Sequence, residues 1–485
     1  MQKKTPIIAA ILLASCIFVP LEANAATIKA SSCSKSDIQS AINSSSTGDT
    51  VSVPAGNCSW SGDLSIGKKI TLMGAGMNST VITGSVNFGT SGSRVSGFEF
   101  KGNPEISTQG YGFRLDHSRI RRSSWNNAVS IVNTSTSQSI PVAWGLVDHN
   151  EIINGRVNVE GTNAMFADGQ QQHVLWATNL DLGGQTAVYV EDNTFTNPSG
   201  LNPCNFVDGN YGGRYVFRYN TTDGCALEAH SSQEGGNRGI RSWEIYGNII
   251  NKTGSTMYFP FRIRAGTGAI FNNSVIGNWS VTGLGFDNVR SYASAGYGGG
   301  RCNGSSQWDG NQDSTGYPCR DQIGRSADNP QWKHSSPGAY TQSYVPAYTW
   351  LNKSGSANVP VDVINSSDNH IKANRDYFDY NASFNGSSGT GAGTLASRPA
   401  TCTTGVGYWA TNQSTTNLAN MVGANPSTPI SGTLYKCTST NKWTAYYSPY
   451  AYPHPLQGAS SGPSPTPPPS PTPSIAPPSN LRTVP

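Results

Sequence analysis

The sequence has few charged residues. They make up 12% of the 485 residues, about half of the ~25% that is usual, and glycine, serine, threonine and asparagine are abundant instead. The formal net charge of +4 is too small and too diffuse for a nucleic-acid-binding protein. Beyond the first 25 residues no segment approaches the ~18 apolar residues of a membrane helix. We therefore expect neither a nucleic-acid partner nor a membrane span.

Helical periodicity is also nearly absent. Only residues 36–43 space their apolar side chains as an amphipathic helix does. An ordinary globular chain of this length would divide into several domains, whereas a solenoid grows along one axis by adding similar units. A single domain of this length is therefore expected only if the chain is repetitive.

The first 25 residues have the three parts of a secretory signal peptide. Two lysines form a positive start, residues 7–19 are apolar but too short to span a bilayer, and Ala23-Asn24-Ala25 provides a small-residue cleavage site. The alternative is a lipoprotein signal with Cys16 as the lipid-bearing residue, but the apolar stretch continues past this cysteine. The pattern favours cleavage after Ala25 and a secreted, extracellular protein.

Eight cysteines remain after the predicted cleavage site, and an even number in an exported chain indicates disulfide bonds. Zinc is the alternative, but none of the cysteine pairs has the Cys-x-x-Cys spacing of a metal knuckle. The cysteines fall into pairs that are close in sequence. We predict the bonds Cys33–Cys58, Cys204–Cys225, Cys302–Cys319 and Cys402–Cys437.

One short phrase recurs along the chain: an apolar residue, two variable residues, asparagine, a variable residue and usually another apolar residue. The last three intervals between its asparagines are 27, 28 and 25 residues. Asn150 and Asn193 are 43 residues apart, so that coil either carries an insertion or hides another rung. A weaker copy has Ser118 in place of asparagine. The clear copies are residues 147–152, 190–195, 217–222, 245–250 and 270–275.

This period fits a coil of three short strands and three bends. Apolar residues alternate toward the interior, and asparagine tolerates a left-handed bend between strands. Rungs stacked ~4.8 Å apart allow successive asparagines to bond to one another and to buried backbone groups. A β-sandwich would instead show turn signals every ~8–12 residues without a fixed phrase at this spacing. The repeat therefore predicts an all-β fold, a right-handed parallel β-helix.

Three phrases near the N-terminus resemble the opening of pectin-lyase-like proteins of the pectate-lyase superfamily. They are Ser36-Asp-Ile-Gln-Ser-Ala-Ile-Asn43, Gly48-Asp-Thr-Val-Ser-Val-Pro-Ala-Gly56 and Lys69-Ile-Thr-Leu-Met-Gly-Ala-Gly76. The resemblance implies that a short helix caps the first coil, because an open end rung would expose core and strand edges. The likeness extends over roughly residues 33–290. Many chemistries share this fold, so the resemblance does not determine function.

The remaining organisation is predicted from composition. We expect one β-helix domain over residues 26–460, with a Gly- and Trp-rich insertion at about 292–350 and a disulfide-pinned C-terminal cap at about 400–456. Residues 461–478 are rich in proline, serine and threonine and are typical of a stiff linker. Residues 479–485 resemble the first strand of a fibronectin type III module.

A β-helix stacks its strands, so residues far apart in sequence form rows. The outward position of the repeated phrase predicts one row, made of Asp116, Asp148, Glu191, Arg218 and Tyr246. Carboxylates one rung apart repel each other, and calcium coordinated by their oxygen atoms would relieve this. Residues 144–149 also partly resemble the strand beside the calcium site of pectate lyases. The first three residues are thus a candidate calcium site; a solvated acidic stripe, or an insertion that separates the acids, is the alternative.

A second row follows the long turns: Asp208, Glu228, His230, Arg262, Arg264, Asp287 and Arg290. Arginine pairs with a uronate carboxylate, and this neutralisation acidifies the adjacent proton, which His230 or an arginine with a shifted pKa can remove in β-elimination. We predict that four of these residues are catalytic: His230, Arg264, Arg262 and Glu228. We predict that Asp208, Asp287 and Arg290 bind substrate. The alternative is an exposed row of salt bridges, such as Glu228 with Arg262.

Two absences limit the functional conclusion. The Arg-x-Pro-x-x-Arg-x-Gly phrase of pectate lyases is missing, and so is the paired Asp-Asp phrase of polygalacturonase-like hydrolases. The functional prediction therefore rests on the fold, on secretion and on the second row. It favours a lyase that acts on an acidic polysaccharide, and it leaves open a glycoside hydrolase and a non-catalytic glycan-binding platform or spacer.

Overall fold

Each turn of the chain contributes one strand to each of three long sheets, called A, B and C. The structure is a computed structural model that describes residues 25–132, 143–162, 175–201, 204–232, 238–288, 319–329, 341–365, 370–412 and 428–458. All pairings in the three sheets are parallel apart from one two-residue pair at the end of sheet B. The predicted parallel β-helix is therefore confirmed.

The strands are numbered in chain order. Sheet A contains β1 (Thr27–Lys29), β2 (Thr50–Ser52), β5 (Thr71–Met73), β8 (Arg94–Ser96), β11 (Tyr111–Asp116), β14 (Trp144–Asp148), β17 (Val188–Glu191), β20 (Arg214–Arg218), β23 (Ser242–Tyr246), β26 (Thr267–Phe271), β31 (Ala347–Trp350) and β35 (Tyr377–Phe378). Sheet B contains β3 (Gly56–Ser59), β6 (Thr80–Thr83), β9 (Glu99–Lys101), β12 (Arg119–Arg121), β15 (Glu151–Ile153), β18 (Thr194–Thr196), β21 (Thr221–Asp223), β24 (Ile249–Met257), β27 (Ser274–Trp279), β32 (Lys353–Ser354) and β33 (Ala357–Asn358). Sheet C contains β4 (Leu64–Ser65), β7 (Val86–Asn87), β10 (Ile106–Thr108), β13 (Asn127–Val132), β16 (Arg156–Glu160), β19 (Asn205–Asn210), β22 (Ala226–Ala229), β25 (Phe261–Ile263), β28 (Leu284–Phe286) and β34 (Val361–Val363).

Further elements lie outside the coil. Strands β29 (Arg325–Asn329) and β30 (Thr341–Tyr344) form an antiparallel pair, and a small sheet contains β36 (Thr390–Gly393), β37 (Gly407–Ala410), β38 (Thr433–Ser439) and β39 (Lys442–Tyr447). Helical elements with described bounds include α1 (Lys35–Ser44), α2 (Pro455–Gly458) and a 3-10 turn at Leu395–Ser397. Among the described residues, no helix has the length and apolar character that a membrane span requires.

The core is a set of stacked apolar columns. Alternate residues of each strand point inward, and strict parallel register places the inward residues of successive rungs directly above one another. Burying such a column removes apolar surface from water, at about 25 cal/mol per Å². The longest column in sheet A consists of Val51, Leu72, Val95, Leu115, Val147, Val190, Phe217, Ile245 and Ile270.

Helix α1 begins where the sequence predicts a cap. The Ser34 side chain accepts a hydrogen bond from the backbone N–H of Asp37, as N-cap residues do. Ile38, Ala41 and Ile42 are buried, so one face of the helix packs against the first coil. The predicted N-terminal capping helix is confirmed.

The repeated phrase forms a ladder of side-chain amides. Asn220 shows the pattern: its Nδ2 donates to the carbonyls of Val190 and Arg218, at 2.9 and 3.0 Å, and its Oδ1 accepts from the backbone N–H of Asn193 at 2.9 Å. Each amide therefore satisfies backbone groups of two rungs that water cannot reach. The ladder consists of Ser118, Asn150, Asn193, Asn220, Asn248, Asn273 and Asn352.

The left-handed bend lies one residue earlier than predicted. The ladder asparagines do not adopt it; the residue before each of them does, with φ between 49° and 68°. These residues are His117, His149, Asp192, Tyr219, Gly247, Asn272 and Leu351. The asparagine is required for its amide, and the bend itself accepts residues of several types.

The long intervals between ladder residues are insertions. Strand β14 pairs directly with β17, with Val147 opposite Val190, so no rung is hidden between Asn150 and Asn193. The second insertion was predicted to reach about residue 350, but Ala347–Trp350 is already a rung of sheet A. The coil therefore resumes earlier than the composition indicated.

Three of the four predicted disulfides are confirmed: Cys33–Cys58, Cys204–Cys225 and Cys402–Cys437. Cys319 is also disulfide-bonded, and its predicted partner Cys302 lies outside the described residues. These bonds fit an extracellular protein. The predicted signal peptide up to residue 24, with Cys16, and the segments predicted as linker and module start likewise lie outside the described residues.

The C-terminal region is the predicted disulfide-pinned unit, and it reaches the last rung of sheet A, where the Thr390 hydroxyl donates to the carbonyl of Phe378 at 2.8 Å. It packs against the outer face of sheet A, where the backbone N–H of Ile430 donates to the Tyr219 hydroxyl at 2.9 Å. The hydroxyl of Tyr447 donates to Glu244 at 2.7 Å. Residues 448–458, here called the C-terminal strap, then continue across the same face. The disulfide Cys402–Cys437 joins the start of this region to β38.

Candidate active-site cleft on sheet C

A cleft of about 1000 Å³ lies along the turns that lead from sheet B into sheet C. Trp125 stands on the turn before β13, and Tyr258, which is 60% exposed, stands on the turn before β25. Four rungs separate these aromatic residues, or roughly 19 Å at the spacing of parallel strands. The charged and amide groups between them are Arg156, Asn205, Glu228, His230, Arg262 and Arg264.

His230 and Asp208 form a hydrogen-bonded pair on adjacent rungs. His230 Nδ1 lies 2.7 Å from Asp208 Oδ1, and the carboxylate is 1% exposed. Although burial opposes ionisation, the charge and hydrogen bond of His230 and the charge of Arg156 lower the pKa of Asp208. An ionised carboxylate only accepts hydrogen bonds, so Nδ1 of the neutral imidazole carries the proton. Within the described part of the chain, Nε2 has no hydrogen-bond partner.

Asp208, which was predicted to bind substrate, is not among the described residues that line the cleft. A carboxylate that is 1% exposed is covered by its own ligands, which include the Asn205 amide at 3.1 Å and the backbone N–H of Gly209 at 2.9 Å. Arg156 adds an ion pair at 3.3 Å. These contacts place Asp208 beneath the cleft, where it positions His230.

Glu228 is held by two neighbours. Its Oε1 accepts from Arg264 Nη2 at 2.5 Å, and its Oε2 accepts from the amide of Asn205. Arg264 is 5% exposed and lines the cleft beside the carboxylate that it binds. It therefore helps to position Glu228, and its catalytic role stays a prediction.

Arg262 is the more accessible of the two predicted arginines. Its side chain is 37% exposed, and it lies directly opposite Glu228 across β22 and β25. Its Nη2 is 3.3 Å from Asp287 Oδ2, and its Nη1 is 3.9 Å from Glu228 Oε1. Asp287 is fully buried and also accepts from the Asn365 amide at 3.0 Å. Asp287 thus anchors Arg262, and its predicted substrate contact is corrected; Arg290 lies outside the described residues.

Sequence reasoning missed two polar residues of the cleft, Arg156 and Asn205, and the nearby Glu160 at the end of β16. Arg156 and Asn205 begin strands β16 and β19, and Arg156 Nη1 donates to Asn205 Oδ1 at 3.0 Å. Burial raises the pKa of Glu160, and the nearby Asp208 raises it further. Strands β16 and β19 carry no copy of the repeated phrase, so only their register with β22 could have identified these residues.

Asp208, Glu228 and His230 place one ligand atom each within 4.8 Å of one another, which is close enough to hold a metal ion. The surrounding charge opposes this. Arg264 contacts Glu228, Arg156 contacts Asp208, and Arg262 lies 3.9 Å from Glu228. A divalent cation would lie among three guanidinium groups, so the cluster is better suited to bind an anion.

The first row is in register as predicted: Asp116 lies opposite Asp148, Asp148 opposite Glu191, and Glu191 opposite Arg218. The three carboxylates are completely buried, so neither a solvated stripe nor a separating insertion applies. Tyr246 continues the row opposite Arg218. The row differs from the prediction in its surroundings.

Arginines neutralise this row. Arg94 binds Asp116 with both Nε and Nη2, at 2.7 and 2.5 Å, and Arg114 binds Asp148 in the same way at 2.9 and 2.8 Å. Although burial opposes ionisation, these arginines and His117 hold the pKa of Asp116 well below its usual range. The repulsion from which calcium was predicted is thus relieved by guanidinium groups.

The C-terminal strap covers the row and accepts hydrogen bonds from Arg218, the arginine that also binds Glu191. Arg218 donates to Glu191 at 2.7 Å and to the carbonyls of Tyr450 and Ala451 at 2.8 and 2.9 Å. The backbone N–H of His454 donates to Glu191 at 3.0 Å. The first row is therefore a structural interface between the coil and the strap.

Comparison with known proteins adds little. No family model and no curated protein matches this chain. Among solved structures the chain is similar to one described as "Crystal structure of Agl-KA catalytic domain", with 14% sequence identity and a TM-score of 0.20. The alignment covers 58% of this chain and 60% of that chain. A likeness at this TM-score carries no argument, so the description of fold and cleft rests on the residues above.

Proposed function

We propose that this protein is a secreted polysaccharide lyase that cleaves a uronate-containing polysaccharide by β-elimination in the cleft on sheet C. The observation that supports this most directly is the His230–Asp208 pair beside the half-exposed Arg262. A base and a carboxylate-binding cation on adjacent strands are the two groups that this elimination requires. The aromatic residues at either end of the cleft suit the faces of sugar rings.

His230 is the proposed base. Its Nδ1 proton is engaged by Asp208, which leaves the Nε2 lone pair to accept a proton from substrate. Asp208 remains ionised and stabilises the imidazolium that forms. Because Asp208 is buried and bonded to several donors, it fixes the orientation of the ring before substrate arrives.

Arg262 is the proposed carboxylate ligand. A guanidinium binds a uronate carboxylate through two parallel hydrogen bonds, and charge neutralisation stabilises the enolate-like state that follows proton removal. Glu228 and Asp287 hold Arg262 from its two sides. Arg264 and Asn205 in turn hold Glu228, so a network of hydrogen bonds and ion pairs orients the Arg262 guanidinium.

The proposed reaction balances without a cofactor. Nε2 of His230 removes the proton alpha to the carboxylate, the electron pair forms a carbon–carbon double bond, and the bond to the glycosidic oxygen on the next carbon breaks. The leaving oxygen takes a proton from the imidazolium or from water. The products are a shortened chain with a hydroxyl end and a chain with an unsaturated uronate end.

The test is depolymerisation by the untagged secreted protein over a panel of uronate-containing and neutral polysaccharides. We expect ultraviolet absorbance from unsaturated ends with at least one uronate polymer. His230→Gln removes the base and should lower the rate by about 10²–10⁴-fold. Arg262→Ala should raise KM and lower kcat, because it removes both binding and charge neutralisation.

Arg121→Ala is the matched control. Arg121 lies on sheet B, its side chain is half-exposed, and its ion pair with Glu99 is long, at 3.6 Å. The rate of this variant should equal that of the unaltered protein. Reducing ends without the absorbance change would replace the lyase with a hydrolase. Binding of a polymer without any product would replace it with a glycan-binding platform.

A further inference from the structure

His117 and His149 occupy the same left-handed position of the bend on successive rungs, and their imidazole rings are stacked. The ring centroids are 5.0 Å apart and the ring planes differ by 2°. The pair lies at the bend from sheet A to sheet B and is not among the residues that line the cleft on sheet C. The proposed elimination therefore makes no use of these rings.

Each ring is fixed by the aspartate that precedes it. Nδ1 of His117 lies 2.7 Å from Asp116 Oδ2, and Nδ1 of His149 lies 2.8 Å from Asp148 Oδ2. These carboxylates are paired with arginines and only accept hydrogen bonds, so each neutral ring carries its proton on Nδ1. Among the described residues, neither Nε2 atom has a hydrogen-bond partner. Because the rings are parallel, the two lone pairs lie in parallel planes.

A histidine that binds a metal through Nε2 normally donates its Nδ1–H to a carboxylate, which fixes the ring and increases its basicity. This supporting contact is formed twice here, on neighbouring rungs. We propose that His117 and His149 together bind one divalent transition-metal ion of the class that imidazole prefers, such as Zn²⁺, Ni²⁺ or Cu²⁺. Calcium does not suit this pair, because it takes oxygen ligands.

The spacing requires a small movement of one ring. Two nitrogen atoms that share a metal at ~2.0–2.1 Å are at most ~4 Å apart, whereas the ring centroids are 5.0 Å apart. The His117 side chain is 55% exposed and the His149 side chain 12% exposed. The fixed half of the site is therefore His149, and His117 tilts toward it.

The local charge does not oppose a cation, because the arginines of the first row are each matched by a carboxylate: Arg94 by Asp116, Arg114 by Asp148 and Arg218 by Glu191. Asp192 occupies the same bend position on the next rung, and its charge acts on His149.

The test uses the untagged secreted protein with Cu²⁺ as the probe. Calorimetric titration measures affinity and stoichiometry, and electron paramagnetic resonance counts the coordinated nitrogen atoms. We expect one Cu²⁺ per chain with two imidazole nitrogens. His117→Gln should lower the affinity at least tenfold and leave one nitrogen, and His149→Gln should do the same. The double variant should leave neither of these imidazole nitrogens on the ion and should bind more weakly than either single variant.

His230→Gln is the control and should bind Cu²⁺ as the unaltered protein does. Unchanged binding by His117→Gln would overturn the proposal, and so would loss of binding in His230→Gln. His117 is mostly exposed, so we expect His117→Gln to fold. If circular dichroism shows that His149→Gln has not folded, His117→Gln alone decides the test. This test does not measure depolymerisation, so its outcome is independent of whether the protein is a lyase.

Discussion

Asp208 Oδ1 and His230 Nδ1 are 2.7 Å apart across neighbouring rungs of sheet C, although 22 residues separate them in sequence. The carboxylate is nearly inaccessible and the imidazole faces the cleft. This relationship assigns one residue to chemistry and the other to orientation. The two roles are separable by kinetics.

Asp208→Asn should lower kcat while KM changes little, because Asp208 does not touch the substrate but sets the tautomer and orientation of His230. The loss should be smaller than that of His230→Gln. Steady-state kinetics on the uronate polymer identified by the panel provide the measurement. A rise in KM alone would instead make Asp208 a substrate ligand.

Asn220→Ala should destabilise the protein by about 2–4 kcal/mol, because it leaves buried carbonyl and N–H groups of neighbouring rungs without partners. Chemical denaturation measures the free energy of unfolding. The matched control is Asn278→Ala on the exposed part of β27, which should change stability by no more than about 0.5 kcal/mol. Equal effects of the two substitutions would contradict a structural role for the ladder.

Calcium should leave the melting temperature unchanged, because arginines already neutralise Asp116, Asp148 and Glu191. Thermal unfolding with calcium and with a chelator checks this. Asp148→Asn should cost about 3–5 kcal/mol in either condition, since it removes the buried negative charge that binds the Arg114 guanidinium through two hydrogen bonds. A calcium-dependent rise that disappears in Asp148→Asn would restore the calcium site predicted from the sequence.

Glu244→Gln should make stability less dependent on pH. Burial raises the pKa of Glu244 to about 7 from its usual 4.5, so the unfolded chain releases this proton at lower pH than the folded protein does. The free energy of unfolding therefore falls as pH rises from about 4.5 to about 7, by roughly 2–3 kcal/mol. The amide keeps a partner in Tyr447 and carries no charge.

The measurement is chemical denaturation of both proteins at several pH values across that window. Subtracting the two curves isolates Glu244 from other groups, such as His454, whose pKa burial lowers to about 3. The Glu244→Gln protein should gain relative stability toward neutral pH. Parallel curves would show that Glu244 ionises as freely in the folded protein as in the unfolded chain.

The fold was predictable because the same phrase returns at five successive rungs, from β14 to β26. The spacing of Asn150, Asn193 and Asn220 predicts that their side chains stack in a ladder. The phrase around them indicates which residues point inward. Asn352 follows an insertion and has no regular interval, so only the structure places it in the ladder. The short helix was equally predictable, because its cap and apolar face are local.

The candidate site was predictable only in part. Glu228 and Arg262 lie opposite each other because their strands follow each other in register. Burial was not predictable, because it depends on distant segments: Arg114 donates to the carbonyl of Leu456, 342 residues away. The pattern of one strand cannot indicate that a strap covers it, and this is why a buried charged row was interpreted as a calcium site.

Asn273 donates to Asn352 across 79 residues of sequence, yet the ladder continues as if the two rungs were consecutive. Register in this protein is therefore set by side chains that recognise the rung below, and the length of the connection is secondary, because the entropy of loop closure grows only slowly with loop length. Part of this connection is itself packed on the coil, where the buried Asp321 binds Arg238. A connection of this kind can therefore add buried contacts and surface to a β-helix while the supporting rungs keep their order.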